Sequence, residues 1–350
     1  MLAARAKAVA APIAEPPDAA AGQLWKQIVG PVEPFLDAVI SRLAEQVTAF
    51  DPSLRSYADY ALNGQGKQLR PALVALTANA LGPTSAAHVT AATIIEMVHL
   101  ATLVHDDVMD EAEIRRGRLT LAANWGNEIA VLFGDCLFAR ALELAAGFPT
   151  PEVCRAVATA TNTVCAGELL QTRHRRNFPL SQKEYFKVLE MKTAELFALS
   201  CDLSAFISGA ETAYRAALRQ FGMAFGTAYQ LYDDCLDLFG AESKAGKSLG
   251  TDLAKGKLTL PLLLLWKEAA PADRRRLESL VQNSQGEVLD RVLELLNRYG
   301  TLPPSLATVH RYLDRARLAL DGLPDSEGRS GLLGATDFLA RQTDALVGAS

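Results

Sequence analysis

An all-α architecture, a single large helical bundle, is what this sequence calls for, and three features carry that expectation. Of its 350 residues 49% are hydrophobic but only 7% aromatic, with Ala and Leu supplying much of the apolar share, a composition that favours helix. Apolar residues recur at helical spacing in segment after segment from Ile28 onward. The breaks between segments fall at helix-stopping residues: Asp51-Pro52, Gly64-Gln65-Gly66, Gly82-Pro83, Phe148-Pro149, Phe178-Pro179 and Gly300. Few or no strands are expected.

Taken in order, Met1 to Ala21 carries Arg5 and Lys7 and then Ala/Pro-rich sequence without an apolar signal core, so residues 1–25 are expected to be a disordered tail. No linker composition follows, and residues 26–350 read as one helical domain. Thr84 or Ser85 is placed to cap the helix that runs toward His99, and Ser181 with Glu184 has the spacing of a capping box. Leu260 to Trp266 is apolar but short and contains Pro261. No uninterrupted apolar run reaches the roughly 18 residues that a membrane span needs.

A net charge of -5, with scattered basic residues and a pI near 5.7, argues against a nucleic-acid surface. The five cysteines (Cys136, Cys154, Cys165, Cys201, Cys235) lack CxxC spacing and read as reduced core residues of a cytoplasmic protein.

Two distant segments look alike: His105-Asp106-Asp107-Val108-Met109-Asp110 and Tyr232-Asp233-Asp234-Cys235-Leu236-Asp237. Each is a DDxxD at the end of an apolar helical stretch. Residues four apart share a helix face, so each motif forms a small carboxylate claw. Three neighbouring carboxylates resist ionisation unless a cation neutralises them, and the apolar flanks add a desolvation cost. One such turn could be solvated surface; two with apolar flanks point to metal. Oxygen ligands without His or Cys select a hard cation, and Mg²⁺ shares its coordination sphere among carboxylates, water and phosphate oxygens. A diphosphate held by bridging metal between two helices is the implied ligand. Short basic clusters stand near the claws to meet it: Lys67 with Arg70, Arg115-Arg116, Gly246-Lys247 and Gly256-Lys257.

With these residues in place, the chain resembles the trans-isoprenyl diphosphate synthase (polyprenyl synthetase) family from about Leu62 to Pro261. The motifs run in order: GKQLRP, EMVHLATLVHDDVMDEAEIRRG, Gly134-Asp135, MKTAELF, YQLYDDCLDLFG and GKSLGTDLAKGKLTLP. The resemblance implies a single large helical bundle of the isoprenoid synthase type with a central substrate cavity, usually a homodimer, that condenses isopentenyl diphosphate with an allylic diphosphate primer. It implies that Asp106, Asp107, Asp110, Asp233, Asp234 and Asp237 hold Mg²⁺, about three ions per site. Arg115, Lys192, Lys247 and Lys257 would contact the allylic diphosphate, and Lys67, Arg70, His99 and Arg116 the isopentenyl diphosphate. Thr193 and Gln230 would line the region where the allylic cation develops, whereas His105 is expected to be structural. Two departures stand out: Leu119 replaces a proline often found after Arg-Arg-Gly, and Arg173 to Asn177 is unusually basic.

In such a family the product grows past the residues one turn before Asp106. Here these are Ala101 and Thr102, small side chains that leave a tunnel open, with Ile94, Met97 and Val98 as candidates for its floor. Products of roughly thirty to forty carbons are expected rather than farnesyl- or geranylgeranyl-length chains. A lipid-like product would bring the protein to membrane surfaces without a span. A class I terpene cyclase shares the first claw, but its second metal motif mixes Asn, Ser or Thr with Glu. A non-catalytic subunit of a heteromeric synthase would be expected to have lost aspartates that this chain keeps.

Overall fold

The computed structural model describes residues 19–62, 66–115, 117–178, 180–240, 249–282 and 288–347. Arg116 and Lys247, both assigned to diphosphate contact by resemblance, lie outside the described residues, as do residues 1–18 of the expected tail. The first helix, α1 (Ala19–Val29), starts inside that tail, and its Trp25 ring packs 5.2 Å from Phe338. The expected boundary at residue 25 falls within this helix, and the aromatic contact ties this end of the chain to the bundle.

A 3-10 turn (Gly30–Val32) leads to α2 (Glu33–Ala49), α3 (Arg55–Leu62), α4 (Leu69–Leu81) and α5 (Ala86–Met109). A two-residue hairpin follows, β1 (Ile114–Arg115) antiparallel to β2 (Arg118–Leu119), and it holds all the strand structure among the described residues. Then come α6 (Leu121–Trp125), α7 (Asn127–Ala146), α8 (Pro151–Arg173) and α9 (Gln182–Leu189). A π-helical turn (Glu190–Ala194) joins α9 to α10 (Glu195–Ile207), and α11 (Thr212–Phe239) is the longest helix described. The remainder is α12 (Thr251–Ala254), α13 (Leu260–Glu268), α14 (Pro271–Gln282), α15 (Val288–Arg298), α16 (Leu302–Ala319) and α17 (Glu327–Asp344). The architecture is all-α, as composition and periodicity require.

Local chemistry sets several of these boundaries. Ser85, not Thr84, caps α5, and the ring of His88 completes the cap by accepting the Ser85 backbone N–H at Nδ1 (3.1 Å). That leaves Nε2 to carry the proton toward Ser204 O (3.2 Å) and Ser208 Oγ (3.0 Å) at the end of α10. Burial lowers the pKa of His88, consistent with a neutral ring that ties the start of α5 to α10. The Ser181–Glu184 capping box is present: Glu184 Oε2 accepts the Ser181 N–H (2.9 Å) and Ser181 Oγ accepts the Glu184 N–H (3.2 Å).

By length and composition α5 is apolar enough to cross a membrane, contrary to the expectation that no segment is. Its polar residues Glu96 and His99 interrupt the run without lowering the average enough. Within the bundle α2, α4, α7 and α10 pack around it, which accounts for the apolar composition. The cysteines are all free; Cys201 and Cys235 are core residues, but Cys165 is exposed on α8 and so is not the core residue expected.

Packing of α10 against α11 forms the centre of the structure. Phe197, Phe221 and Phe225 are buried there, with ring centroids 5.8 Å apart for Phe197–Phe225 and 5.9 Å for Phe221–Phe225. Each contributes roughly 2–3 kcal/mol of burial. The close approach depends on Gly222, where an added Cβ would lie 2.5 Å from the Phe197 carbonyl oxygen. Gly222→Ala gains about 1 kcal/mol of helix propensity, but overpacking against backbone costs about 1–3 kcal/mol or more. A net loss of stability in urea denaturation is predicted, and an unchanged or raised midpoint would show that the two helices can separate without cost.

Candidate active site

The first claw sits where α5 ends, with Asp110 as its C-cap. Three acidic groups at a helix C-terminus oppose the helix dipole, so they need cations. The structure supplies them from other elements. Asp107 turns inward and is 5% exposed, and Arg115 Nε on β1 donates to its Oδ1 at 2.7 Å. Asp110 faces Arg175 Nη2 (2.9 Å), Lys255 Nζ (3.0 Å) and Lys257 Nζ (3.3 Å). Burial would raise the Asp110 pKa, but Lys257 and Lys255 outweigh it and hold the carboxyl at about 2. Asp106 has Lys192 Nζ at 3.6 Å; burial, reinforced by the charges of Glu168 and Asp110, lifts its pKa above the usual carboxylate range despite that lysine. Lys192 also contacts Glu168 and donates to Gln171 Oε1 at 2.9 Å, both on α8.

The second claw lies in the last turns of α11 and divides into three environments. Asp233 stays partly exposed. Asp234 is 4% exposed, its Oδ2 accepting from the Tyr185 hydroxyl (2.5 Å) and its Oδ1 from Gln230 Nε2 (2.8 Å). Asp237 is fully buried, accepting the backbone N–H groups of Thr251 (3.3 Å) and Asp252 (3.1 Å) and the Thr251 hydroxyl (2.8 Å). Asp237 was expected as a metal ligand; here the segment around α12 folds back over it, and its carboxylate caps that short helix. Asp107 and Asp234 are likewise engaged by protein donors, which leaves Asp106, Asp110 and Asp233 as the partly exposed claw carboxylates.

Thr193 and Gln230 come together as expected, Thr193 Oγ1 donating to Gln230 Oε1 at 2.9 Å. The π-helical turn at Glu190–Ala194 makes this possible, since the extra backbone residue re-aims Lys192 and Thr193; such turns are frequent at functional sites. A hydrogen-bond chain results, from Thr193 through Gln230 and Asp234 to Tyr185. Burial and the Asp234 carboxyl push the Tyr185 pKa well above 10, so the hydroxyl remains a donor. Lys192, Thr193, Gln230, Asp234, Asp252 and Lys257 line one cavity of about 70 Å³, with Leu180, Val188, Leu189 and Leu258 on its apolar side. Lys192 links this cavity to Asp106, and Lys257 links it to Asp110 and, at 3.1 Å, to Asp252.

Other expected residues fall nearby. Lys67 precedes α4, and the Arg70 guanidinium, in the first turn of α4, lies 4.5 Å from the Phe197 ring centroid. His99 is on α5, two turns before Asp106. Ala101 is buried, and Thr102 is half-buried with its hydroxyl donating to His99 O (2.7 Å). His105 has its Nε2 3.0 Å from Val131 O and its ring against Phe138, the structural role expected of it. Sequence reasoning missed Glu168, Gln171, Tyr185, Asp252 and Lys255. It noted the basic character of Arg175 without assigning it a place; the only available signal for Glu168 and Gln171 was their shared helix face.

The donor set fits Mg²⁺ in its chemistry. Among the described residues no three acidic, His or Cys side chains already converge into a closed cage. An ion that takes one or two carboxylates and completes its shell with water and phosphate needs no such cage. Asp234 has a measurable consequence. Burial and the charge of Asp252 raise its pKa to about 8 against the Tyr185 and Gln230 hydrogen bonds, from an ordinary 3.8. Between those values the folded state holds a proton that the unfolded chain releases, so this group makes the metal-free protein less stable as pH rises. Asp234→Asn is predicted to flatten that slope and to raise the melting temperature at pH 8 in EDTA; an unchanged slope would show that Asp234 is ionised in the folded state.

Comparison with known proteins agrees with the geometry. Residues 51–297 match the polyprenyl synthetase family. The chain is 34% identical over 297 residues to the octaprenyl diphosphate synthase of Escherichia coli, covering 85% of this chain and 92% of that one. A decaprenyl diphosphate synthase structure from Rhodobacter capsulatus superposes with a TM-score of 0.86 at 30% identity, covering 91% and 99% of the two chains. A polyprenyl synthase from Caulobacter crescentus, solved with calcium and isoprenyl diphosphate, gives 0.85 at 34% identity, covering 90% and 97%. This chain belongs to the polyprenyl synthetase family.

Proposed function

We propose that the chain is a trans-polyprenyl diphosphate synthase, joining isopentenyl diphosphate head-to-tail to an allylic diphosphate to make a long-chain product of roughly thirty to forty carbons. The observation that carries this is the pairing of two carboxylate-bearing helix ends, on α5 and α11, through lysines that line one cavity. The long-chain reading is supported by relatives that are themselves octaprenyl and decaprenyl synthases. Small Ala101 and Thr102 one turn before the first claw agree with it.

Asp106, Asp110 and Asp233 would hold Mg²⁺, about three ions with the diphosphate, while Asp107 and Asp234 brace the two claws from within. Bound there, Mg²⁺ supplies charge stabilisation for the departing diphosphate. Lys192, Lys257 and Arg115 add fixed positive charge to the same leaving group, so the allylic carbon–oxygen bond breaks heterolytically with its electrons on diphosphate. Lys67, Arg70 and His99 would orient the isopentenyl diphosphate so that its double bond attacks the allylic carbon. The oxygens of Thr193 and Gln230 face the positive charge as it develops. Loss of a proton from the condensed carbocation, to the released diphosphate, restores the double bond, and no side chain is required as nucleophile.

For assembly we favour a homodimer. Val131 and Leu132 on α7 and Leu169 on α8 are exposed apolar side chains, 41%, 62% and 73% accessible. Such a surface is costly to leave in water. A cytoplasmic location, with transient membrane contact through the product, goes with this reading.

Three substitutions test the assignment. Asp106→Ala and Asp233→Ala should each lower kcat by at least about a hundredfold in a folded protein. Ala101→Phe should shorten the products of labelled isopentenyl diphosphate without abolishing condensation. Undiminished turnover in either claw variant, or an unchanged product distribution for Ala101→Phe, would contradict the site as drawn.

A further inference from the structure

The basic stretch from Arg173 to Asn177, a departure from the family pattern, occupies a definite place. It forms the turn after α8 and is joined to the turn after α12 by the Arg176 N–H donating to Gly256 O at 2.7 Å. Both partners have left-handed backbone, φ +58° at Arg176 and +71° at Gly256, and the Arg176 side chain lies directly over the glycine: a Cβ there would be 2.4 Å from Arg176 Cγ. Only glycine permits that stacking. The joined turns present Arg175, Lys255 and Lys257, all within 3.3 Å of the one carboxylate of Asp110.

Three cations around one carboxylate leave an excess of positive charge. Lys257 is shared with Asp252 and the charge of Lys255 also reaches Asp107, whereas Arg175 pairs with Asp110. Arg175 also has a donor to spare, since its Nε is shut off from solvent and has no hydrogen-bond partner among the described residues. A planar, forked guanidinium beside a flexible ammonium matches the oxygens of a terminal phosphate.

We propose that Arg175 and Lys255 are two further binding residues for the diphosphate of the allylic substrate, delivered to the first claw as a unit by the Arg176–Gly256 contact. The proposal rests on the prenyl-transfer reading above and adds two residues to which the resemblance gives no role, Arg175 from outside the shared motifs and Lys255 from within the last of them. It makes the turn after α8 part of the substrate site, so that the allylic diphosphate displaces the Arg175–Asp110 pair when it binds with metal.

The test uses the full chain with Arg175→Gln, Lys255→Gln and both together, after thermal unfolding has shown that each variant is folded. Affinity for unreactive farnesyl thiodiphosphate is measured by calorimetry in Mg²⁺, alongside KM for the allylic and isopentenyl substrates. Each single substitution should weaken the analogue about tenfold and the double more. The isopentenyl KM should stay within about twofold, and Arg175→Lys should recover part of the loss. Retained or tightened binding in the folded double variant would overturn the proposal, assigning both residues to neutralisation of Asp110 alone. Failure of the unsubstituted chain to bind the analogue would instead overturn the functional reading, and the proposal with it.

Discussion

The constraint that organises this molecule is electrostatic: two helices end in clusters of carboxylates, where the helix dipole is already negative and the neighbouring residues are apolar. Neither end is tolerable without compensation from elsewhere in the chain. Each compensating group arrives from outside the helix whose end it serves. Arg115 comes from the hairpin, Arg175 from the turn after α8, Lys192 from the π-helical turn, and Lys255 and Lys257 from beyond α11. The hairpin, the π turn and the loop that buries Asp237 can all be understood as parts that bring charge, or hydrogen-bond donors, to those helix ends.

Charge alone would not fix the geometry; packing does. The aromatic cluster of Phe197, Phe221 and Phe225 locks α10 to α11, and that contact sets Thr193 against Gln230. At the opposite end of α5, His88 ties the helix to α10. The first claw is thus held at the far end of a helix whose start is fixed to the same scaffold as the second. Pre-organisation of this kind lets a site meet a charged ligand without paying for rearrangement when it binds.

Much of this was legible in the sequence because it depends on local spacing. The DDxxD pairs, the capping box at Ser181 and the run of motifs from Lys67 to Lys257 are short-range patterns, and they located both claws. What could not be read was direction. Asp233 and Asp237 share a nominal helix face, yet one is partly exposed and the other caps α12, because residues far along the chain return to cover it. Tyr185 and Glu168 looked like ordinary helix residues, since nothing local says that a phenol will meet Asp234 or a carboxylate will meet Lys192. The apolar α5 reads as one long buried helix only when the four helices around it are known. Arg175 was visible as an oddity of composition; its ion pair with Asp110 spans 65 residues.

The central claim is that one metal-bound diphosphate is held by both helix ends at once, and coupled binding tests it most directly. In calorimetric titrations of the unsubstituted chain, Mg²⁺ and inorganic pyrophosphate should raise each other's affinity by the same factor, as linkage requires. That coupling should vanish when Asp106 on α5 or Asp233 on α11 is replaced by Asn. Pyrophosphate binding that is independent of Mg²⁺, or coupling that survives loss of one of the two carboxylates, would mean that the helix ends do not share a ligand.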